Sequence, residues 1–283
     1  MTKRATHILA PAKLNLFLHI TGRRADGYHE LQTLFQLLDF GDMLSIEASN
    51  DGVLSLHLNF EDVLNTDAPL DNNLVTQAAA LLRQAADKPL LGASITLTKR
   101  LPSGAGLGGG SSDAASCLLA LNQLWGLNLS TDRLCEIGVK LGADVPVFIR
   151  GNSAWAEGIG EQLSPVKLGD SWYLVVSPNC SVSTAEVFCH EHLTRNSQAI
   201  KMADFLAGSA RNDCESVTRK LHPEVDQAFE ILAQFADFRM TGTGSSLFAK
   251  FESEAAAKSV LEALPEHLPG FVAKGIDSIK HAL

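Results

Sequence analysis

The residues best suited to chemistry stand in the run Pro102-Ser103-Gly104-Ala105-Gly106-Leu107-Gly108-Gly109-Gly110-Ser111-Ser112. Glycine reaches positive φ without strain and has no Cβ to keep a ligand away from the backbone. Ser111 and Ser112 then open a helix, whose unpaired N–H groups and partial positive charge favour phosphate. Their hydroxyls add donors or a magnesium contact. A loop that was merely flexible would need neither a strand before it nor an amphipathic helix after it. No Gly-Lys-Ser/Thr follows, so this is not a Walker A loop. No acidic residue ends a strand about 20 residues on, so it is not the dinucleotide fingerprint either.

Three charged residues bear on this loop. Lys13 lies on a strand of inward apolar residues, where a cation is costly without a partner; the alternative is an exposed strand lysine. Asn15, two residues on, faces the same way. Lys99 precedes the loop and either contacts a nucleotide or lies on the surface. Asp144, in Gly142-Ala-Asp-Val-Pro146, reads by itself as a turn or cap aspartate just past a helix. His190-Glu191-His192 resembles a metal pair, but i and i+2 point apart on a helix, and no metal ligands are identified.

These positions need elements to hold them. Leu14, Leu16 and Leu18 alternate as a strand, and Gly22 to His29 is a polar loop with an Asp-Gly turn. Met43–Ala48 and Val53–Leu58 read as strands joined by a hairpin turn at Asn50-Asp-Gly52. A helix spans Asn73–Ala86, started by Asp71 or Asn72. Ile95 and Leu97 mark the strand leading to Lys99. Ala114, Cys117, Leu118, Leu121, Leu124 and Trp125 give the helix after the loop its helical period, and Gly126 stops it. A shorter helix runs from Ser130 to Leu141. Then come a hairpin around Gly158-Ile-Gly160, a strand Trp172–Val176 and a helix opened by Ser183-Thr-Ala-Glu186. Helical stretches follow near 200–207 and 211–236. The end reads strand 238–241, loop, strand 247–251, helix 254–264 and strand 271–276. Trp125, Trp155 and Trp172 read as packing residues. Strands and helices mix without steady βαβ alternation, so the fold class is α+β in two lobes.

Composition narrows the function. The chain has 283 residues, 46 % hydrophobic and 19 % charged, with a formal net charge of −9. That is too apolar for disorder and lacks the basic face a nucleic-acid binder needs. No apolar run approaches the roughly 20 residues of a membrane span, and Lys13 and Asn15 interrupt any signal-peptide core. Five cysteines without a CxxC pair point to a reducing compartment, and so to the cytoplasm.

The loop at 102–112 resembles the second motif of the GHMP kinases. Ala10-Pro-Ala-Lys13-Leu-Asn15-Leu looks like the family's first motif, and Thr241-Gly-Thr-Gly-Ser-Ser-Leu-Phe248 like its third. The three stand in family order. Arg24-x-Asp-Gly-Tyr-His29, Gly106–Ala115 and Gly142–Phe148 narrow the resemblance to one branch. It implies a two-lobed fold: an N-terminal ATP-binding domain over 1–160, like ribosomal protein S5, and a ferredoxin-like C-terminal domain over 161–283. It implies transfer of phosphate from ATP to the 2-hydroxyl of a cytidyl diphosphate ester of methylerythritol, in the non-mevalonate route to isoprenoid precursors. Magnesium is expected with ATP, without named protein ligands. The partner implied is this small molecule, with no nucleic acid and no membrane, for a monomer or weak homodimer.

Residue roles follow from the same resemblance. Asp144 becomes the base for the acceptor hydroxyl and Lys13 its electrostatic partner. The nucleotide falls to Lys99 and to Pro102, Ser103, Gly104, Ala105, Gly106, Leu107, Gly108, Gly109, Gly110, Ser111 and Ser112. Tyr28 stacks on the cytosine, His29 reads its edge, Phe188 supplies the opposing face and Thr184 a hydrogen bond. Asn15 meets the acceptor, and Gly242 and Gly244 close the site. Read locally, Tyr28 could equally pack on its own turn and Phe188 in a core. Ser103 and Ala105 depart from the residues relatives often carry, as do Thr241 and Thr243 where serines are common. Two rivals stay open: another kinase of the family acting on a different alcohol, and a nucleotide sensor without catalysis.

Overall fold

The computed structural model describes residues 4–60 and 72–279. Asp71, one of two candidates for the start of the first helix, lies outside them. The N-terminal lobe is framed by two long antiparallel strands, β1 (Arg4–Arg23) and β2 (His29–Ser49). Their register shifts at four places. Such bulges let strands this long bend and change the face a side chain meets. Residues 10–15 of β1 are buried on both faces and Leu16 only partly, and the register shift between Asn15 and Leu18 interrupts the alternation read from Leu14, Leu16 and Leu18.

β3 (Leu54–Phe60) corrects the hairpin expected at Asn50-Asp-Gly52. It pairs in parallel with β4 (Gly92–Lys99), and β4 is the strand beside β2. The turn itself exists: Asp51 Oδ1 accepts from Ser49 Oγ and from the Val53 N–H at 2.9 Å. It carries the chain past the position that β4 takes, and α1 (Leu74–Ala85) makes the crossover a parallel pair requires. Asn73, not Asn72, caps α1: its side chain accepts from the Val75 N–H. Val75, Ala78, Ala79 and Leu82 form the buried face.

The helix after the glycine loop, α2 (Gly109–Leu124), starts two residues before Ser111. It is buried along most of its length, including Ala114, Ala115, Cys117, Leu118 and Leu121. α3 (Thr131–Gly138) is capped by Ser130. A helix the sequence reading did not find, α4 (Val145–Arg150), follows, with Pro146 in its first turn and Gly151 at its end. Six residues with a proline and no full period give little helical signal. β5 (Ala154–Glu157) and β6 (Gln162–Pro165) form the expected hairpin, with β5 on β2.

The C-terminal lobe holds β7 (Trp172–Val176), α5 (Thr184–Cys189), α6 (Met202–Leu206), α7 (Glu215–Leu221) and α8 (Pro223–Leu232). It ends in β8 (Arg239–Met240), β9 (Leu247–Phe251), α9 (Glu254–Ala263) and β10 (Gly270–Ile276). Pro223 splits the expected helical stretch at 211–236, because it cannot continue α7 and sits at the first position of α8.

The strand order β3-β4-β2-β10-β7-β9-β8 runs through both lobes. β10 pairs with β7 over Gly270–Lys274 and then with β2 at Gly275 and Ile276. One apolar cluster lies under α1–α4 and another under α5, α7, α8 and α9. A third joins Ala12, Leu14, Leu38, Leu101 and Leu107 to Tyr173, Val175, Phe248 and Phe271. That seam underlies the cleft.

Candidate active site

The glycine loop sits on β1. The Lys13 N–H donates to Leu107 C=O at 3.0 Å, and the Ser246 N–H donates to Ala105 C=O at 3.1 Å. The Asn15 N–H donates to Thr241 Oγ1 at 2.9 Å. Segments near residues 13, 107 and 242 are thus interlocked by main-chain contacts, although far apart in sequence. Two glycines are forced by this. Gly106 has φ 77°, and a Cβ there would lie 2.2 Å from Thr241 O. Gly108 has φ 72° at the start of α2, and its Cβ would press on the Lys13 stem and Phe148. Gly104, Gly106 and Gly108 all hold positive φ between other residues. Such alternation is the backbone pattern of anion-binding nests, and the N-terminus of α2 adds unpaired N–H groups of its own.

The loop forms one wall of a cleft of about 1040 Å³. Ligand pockets ordinarily measure roughly 300–1,000 Å³, so there is room for a nucleotide and a second substrate. Lys13, Asn15, Tyr28, His29, Lys99, Asp144, Thr184, Phe188 and Gly242 all line it, as does the loop from Pro102 to Ser111. Ser112 and Gly244 stand behind the lining. Ser112 is fully buried within α2, and Gly244 abuts Met240 and Thr218. Asn72, Asn73 and Leu74, at the start of α1, line the cleft too. Sequence reading used them only as helix punctuation.

Lys13 is 3 % exposed, which excludes the surface alternative. Its Nζ lies 3.3 Å from Asp144 Oδ2 and donates to Asn15 Oδ1 at 2.5 Å. Asn15 Nδ2 donates to Thr33 Oγ1 at 2.9 Å. Asp144 occupies the cap position of α4 but makes no capping hydrogen bond. Its side chain is left to Lys13 and the cleft, so the reading of it as a cap does not hold. Asp144 is a third exposed while Lys13 is nearly covered; both line the cleft, and the carboxylate offers the larger surface to a reactant.

Lys99 is buried, not on the surface. Its ammonium is held by Asp42 and, at 2.9 Å, by Asp113 Oδ2. Burial works against the Lys99 charge, but the two carboxylates more than offset it, and its pKa is raised. Two carboxylates cannot both ionise cheaply around one cation in a dry site. Burial first, then the charge of Asp42, pushes the Asp113 carboxyl up to about 8. Asp42 also accepts from the Arg100 and Leu101 N–H groups at 2.6 and 2.8 Å. The cluster fixes the chain that enters the glycine loop. Nothing in the local pattern around Asp42 announces this, because the contact forms only when β4 lies beside β2.

At the far end of the cleft, Tyr28 is exposed on its loop. The His29 and Phe188 rings lie 5.1 Å apart, tilted by 34°. Arg195, which the sequence reading missed, donates to His29 Nε2 at 3.1 Å and to the Phe188 and His190 carbonyls. Burial lowers the His29 pKa, and the charges of Arg195 and Arg23 lower it further. The ring is therefore neutral at pH 7, with Nε2 accepting and Nδ1 left to carry the proton. The Thr184 and Thr243 hydroxyls share a hydrogen bond at 3.2 Å.

Comparison with known proteins agrees with this geometry. The family model described as "GHMP kinases N terminal domain" matches residues 73–152, and "GHMP kinases C terminal" matches 192–270. The chain is 54 % identical over 94 % of its length to 4-diphosphocytidyl-2-C-methyl-D-erythritol kinase of Pseudomonas aeruginosa (strain LESB58), spanning 92 % of that protein. The Pseudomonas putida (strain KT2440) kinase of the same name is also 54 % identical, over 94 % of this chain and 91 % of its own. A crystal structure of 4-(cytidine 5'-diphospho)-2C-methyl-D-erythritol kinase superposes with a TM-score of 0.77 at 33 % identity, covering 96 % of this chain and 99 % of that one. A mevalonate kinase shares the fold, with a TM-score of 0.69 at 17 % identity. The chain belongs to the GHMP kinase family, within the branch of the 4-diphosphocytidyl-2-C-methyl-D-erythritol kinases.

Proposed function

We propose that this kinase phosphorylates the 2-hydroxyl of 4-diphosphocytidyl-2-C-methyl-D-erythritol with ATP, giving the 2-phosphate and ADP. The observation that carries the reading is the Lys13–Asp144 pair, 3.3 Å apart, in the cleft that the glycine loop borders. In the first step Asp144 accepts a hydrogen bond from the acceptor hydroxyl. The hydroxyl oxygen attacks the γ-phosphorus, the bond from that phosphorus to the bridging oxygen breaks, and ADP leaves with the electron pair. The hydroxyl proton passes to Asp144 and then to solvent. Lys13, 3.3 Å away, orients the Asp144 carboxylate and offsets charge on the moving phosphoryl group. Asn15 keeps Lys13 in place and faces the acceptor. Positioning supplies much of the rate.

The loop from Pro102 to Ser111 takes the phosphates on its N–H groups. Lys99 contributes through the loop it anchors. The nucleotide would be used as its magnesium complex. The Ser112 hydroxyl, buried at the start of α2 without a hydrogen-bond partner, is an oxygen donor of the kind that ion takes. The ion would screen the phosphate charge. The cytidyl group falls to the end of the cleft at Tyr28, His29 and Phe188, with Thr184 beside Thr243. A neutral His29 presents a donor to the base edge, as an aromatic pocket with few polar groups requires. Gly242 and the turn containing Gly244 close the site beside Gly106. We divide the chain at 160/161, the N-terminal domain carrying the nucleotide; the main body of one apolar cluster comes from residues before this point and that of another from residues after it. No helix of the described residues is long and apolar enough to cross a membrane, in keeping with a cytoplasmic enzyme acting on a small molecule.

The test is ADP release from Mg-ATP with 4-diphosphocytidyl-2-C-methyl-D-erythritol, against a control lacking it. Acceptor-dependent ADP and a phosphorylated product are expected. Equal turnover of mevalonate or homoserine would transfer the chain to another activity of the family. ATP binding without transfer to any acceptor would make it a sensor.

A further inference from the structure

Away from the cleft, the C-terminal lobe brings together three side chains that the proposed reaction does not use. Cys180 Sγ, a ring nitrogen of His222 and a carboxylate oxygen of Glu224 all lie within 4.8 Å of one another. Among the described residues this is the one such group of three. None of the three lines the cleft. They are supplied by two segments that the fold holds firmly. Cys180 lies in the connection after β7, where its N–H donates to Pro178 C=O at 2.7 Å and its C=O accepts from Ser245 Oγ at 2.6 Å. His222 and Glu224 flank Pro223 at the break between α7 and α8. The His222 N–H donates to Thr218 C=O, and its C=O receives the Val225 N–H. The backbone that carries each donor is therefore fixed without any ion.

An independent observation points to a ligand. His222 Nε2 is buried and has no hydrogen-bond partner. A buried imidazole nitrogen left unpaired costs free energy, and such an atom in a folded protein calls for an explanation. A metal bonded to Nε2 would supply one. By contrast, His190 and His192 have no third ligand gathered round them, and the His192 N–H is already donated to His190 Nδ1.

We propose that Cys180, His222 and Glu224 form a transition-metal site, with Zn²⁺ the ion their donors select. One thiolate, one imidazole and one carboxylate are the ligand types of zinc, and three protein ligands leave one tetrahedral position for water. Magnesium and calcium take all-oxygen sets and are disfavoured by the sulfur. Binding replaces the thiol proton with the metal: the S–H bond breaks, an S–Zn bond forms, and the proton goes to solvent.

The site would cross-brace the lobe. The Cys180 segment continues to Val182, whose N–H donates to Gly104 C=O at 3.2 Å, and it touches the third glycine turn through Ser245. An ion tying that segment to the α7–α8 junction would stiffen the support behind both loops. Sequence reading could not see this, because the cysteine and the histidine lie far apart and no spaced ligand motif joins them.

The full chain is titrated with Zn²⁺ by calorimetry in excess Mg²⁺, which occupies oxygen-rich sites, and with Co²⁺ followed by absorption. We expect one Zn²⁺ per chain, a thiolate-to-cobalt charge-transfer band, and a melting temperature that rises with Zn²⁺ and falls back with chelator. Cys180→Ser should abolish the band, and Cys180→Ser and His222→Gln should each weaken zinc at least tenfold. Glu224→Gln, at an exposed position that does not threaten folding, should weaken it too. Cys189→Ser is the control and should change nothing. Absence of the charge-transfer band in the wild type, or its loss in Cys189→Ser instead, would overturn the assignment. So would zinc affinity unchanged in Glu224→Gln and in whichever of the other two variants folds.

Discussion

Lys13 and Asp144 divide their work by exposure: the lysine is nearly covered at the cleft wall and the carboxylate stands more open to it. Asp144→Asn keeps the shape and removes the proton acceptor. Turnover should fall by roughly 10²–10⁴-fold, the usual share of a positioned base, with ATP affinity nearly unchanged; near-normal turnover would exclude the role. The Asp42–Lys99–Asp113 cluster makes a second prediction, in pH. The Asp113 pKa stands at about 8 in the fold against roughly 3.9 in an unfolded chain. The folded state therefore binds more protons through that window. Its contribution to stability is complete below the lower value and is lost as pH rises through the upper one. The groups facing Asp113 are Lys99 and Asp42. The melting temperature should fall between pH 6 and pH 9, and Asp113→Asn, which carries no titrating proton, should flatten that slope. Parallel slopes in the two proteins would refute it.

Elements explain why these residues meet. Gly106 must approach Thr241 O and hold a left-handed backbone. Gly106→Ala should cost at least about 1–2 kcal/mol from conformation alone, read by denaturant unfolding, and should raise KM for ATP. Arg195 ties the loop of His29 to the end of α5. Arg195→Met should raise KM for the cytidyl substrate by roughly 5–30-fold, the equivalent of one or two kcal/mol, and leave KM for ATP alone. It should also move the His29 titration upward by NMR, since the Arg195 charge helps depress it; an unmoved titration would contradict that contact. Much of this level was legible in the sequence. Glycine and proline punctuate locally, so the loop at 102–112, the Ser183 cap and the hairpin at Gly158 were all readable from nearby residues. The partner of β3 was not, because a turn fixes where a strand begins and not which strand it joins. Asp42 and Arg195 were missed for a related reason. Each gains its meaning from a residue distant in sequence, and its neighbours carry no trace of that contact.

The whole molecule is joined at the seam where Leu14, Leu38 and Leu107 meet Tyr173, Phe248 and Phe271. Because this core belongs to both lobes, heat should unfold them in one transition, with calorimetric and van't Hoff enthalpies equal. Phe248 is buried edge-on against Tyr173. Phe248→Ala should destabilise by about 3–5 kcal/mol and keep the transition single; a split transition would show that the lobes fold apart. The position of β10 carries a further consequence for biosynthesis. It is the last described strand to leave the ribosome, yet its place is in the middle of the sheet, between β7 and β2. Until it arrives, both neighbours offer unpaired backbone to any passing strand. A growing chain can complete much of its N-terminal lobe but cannot close the sheet. Until β10 emerges the nascent protein is thus a sticky intermediate, and a ribosome stalled before Gly270 would display a client for chaperones.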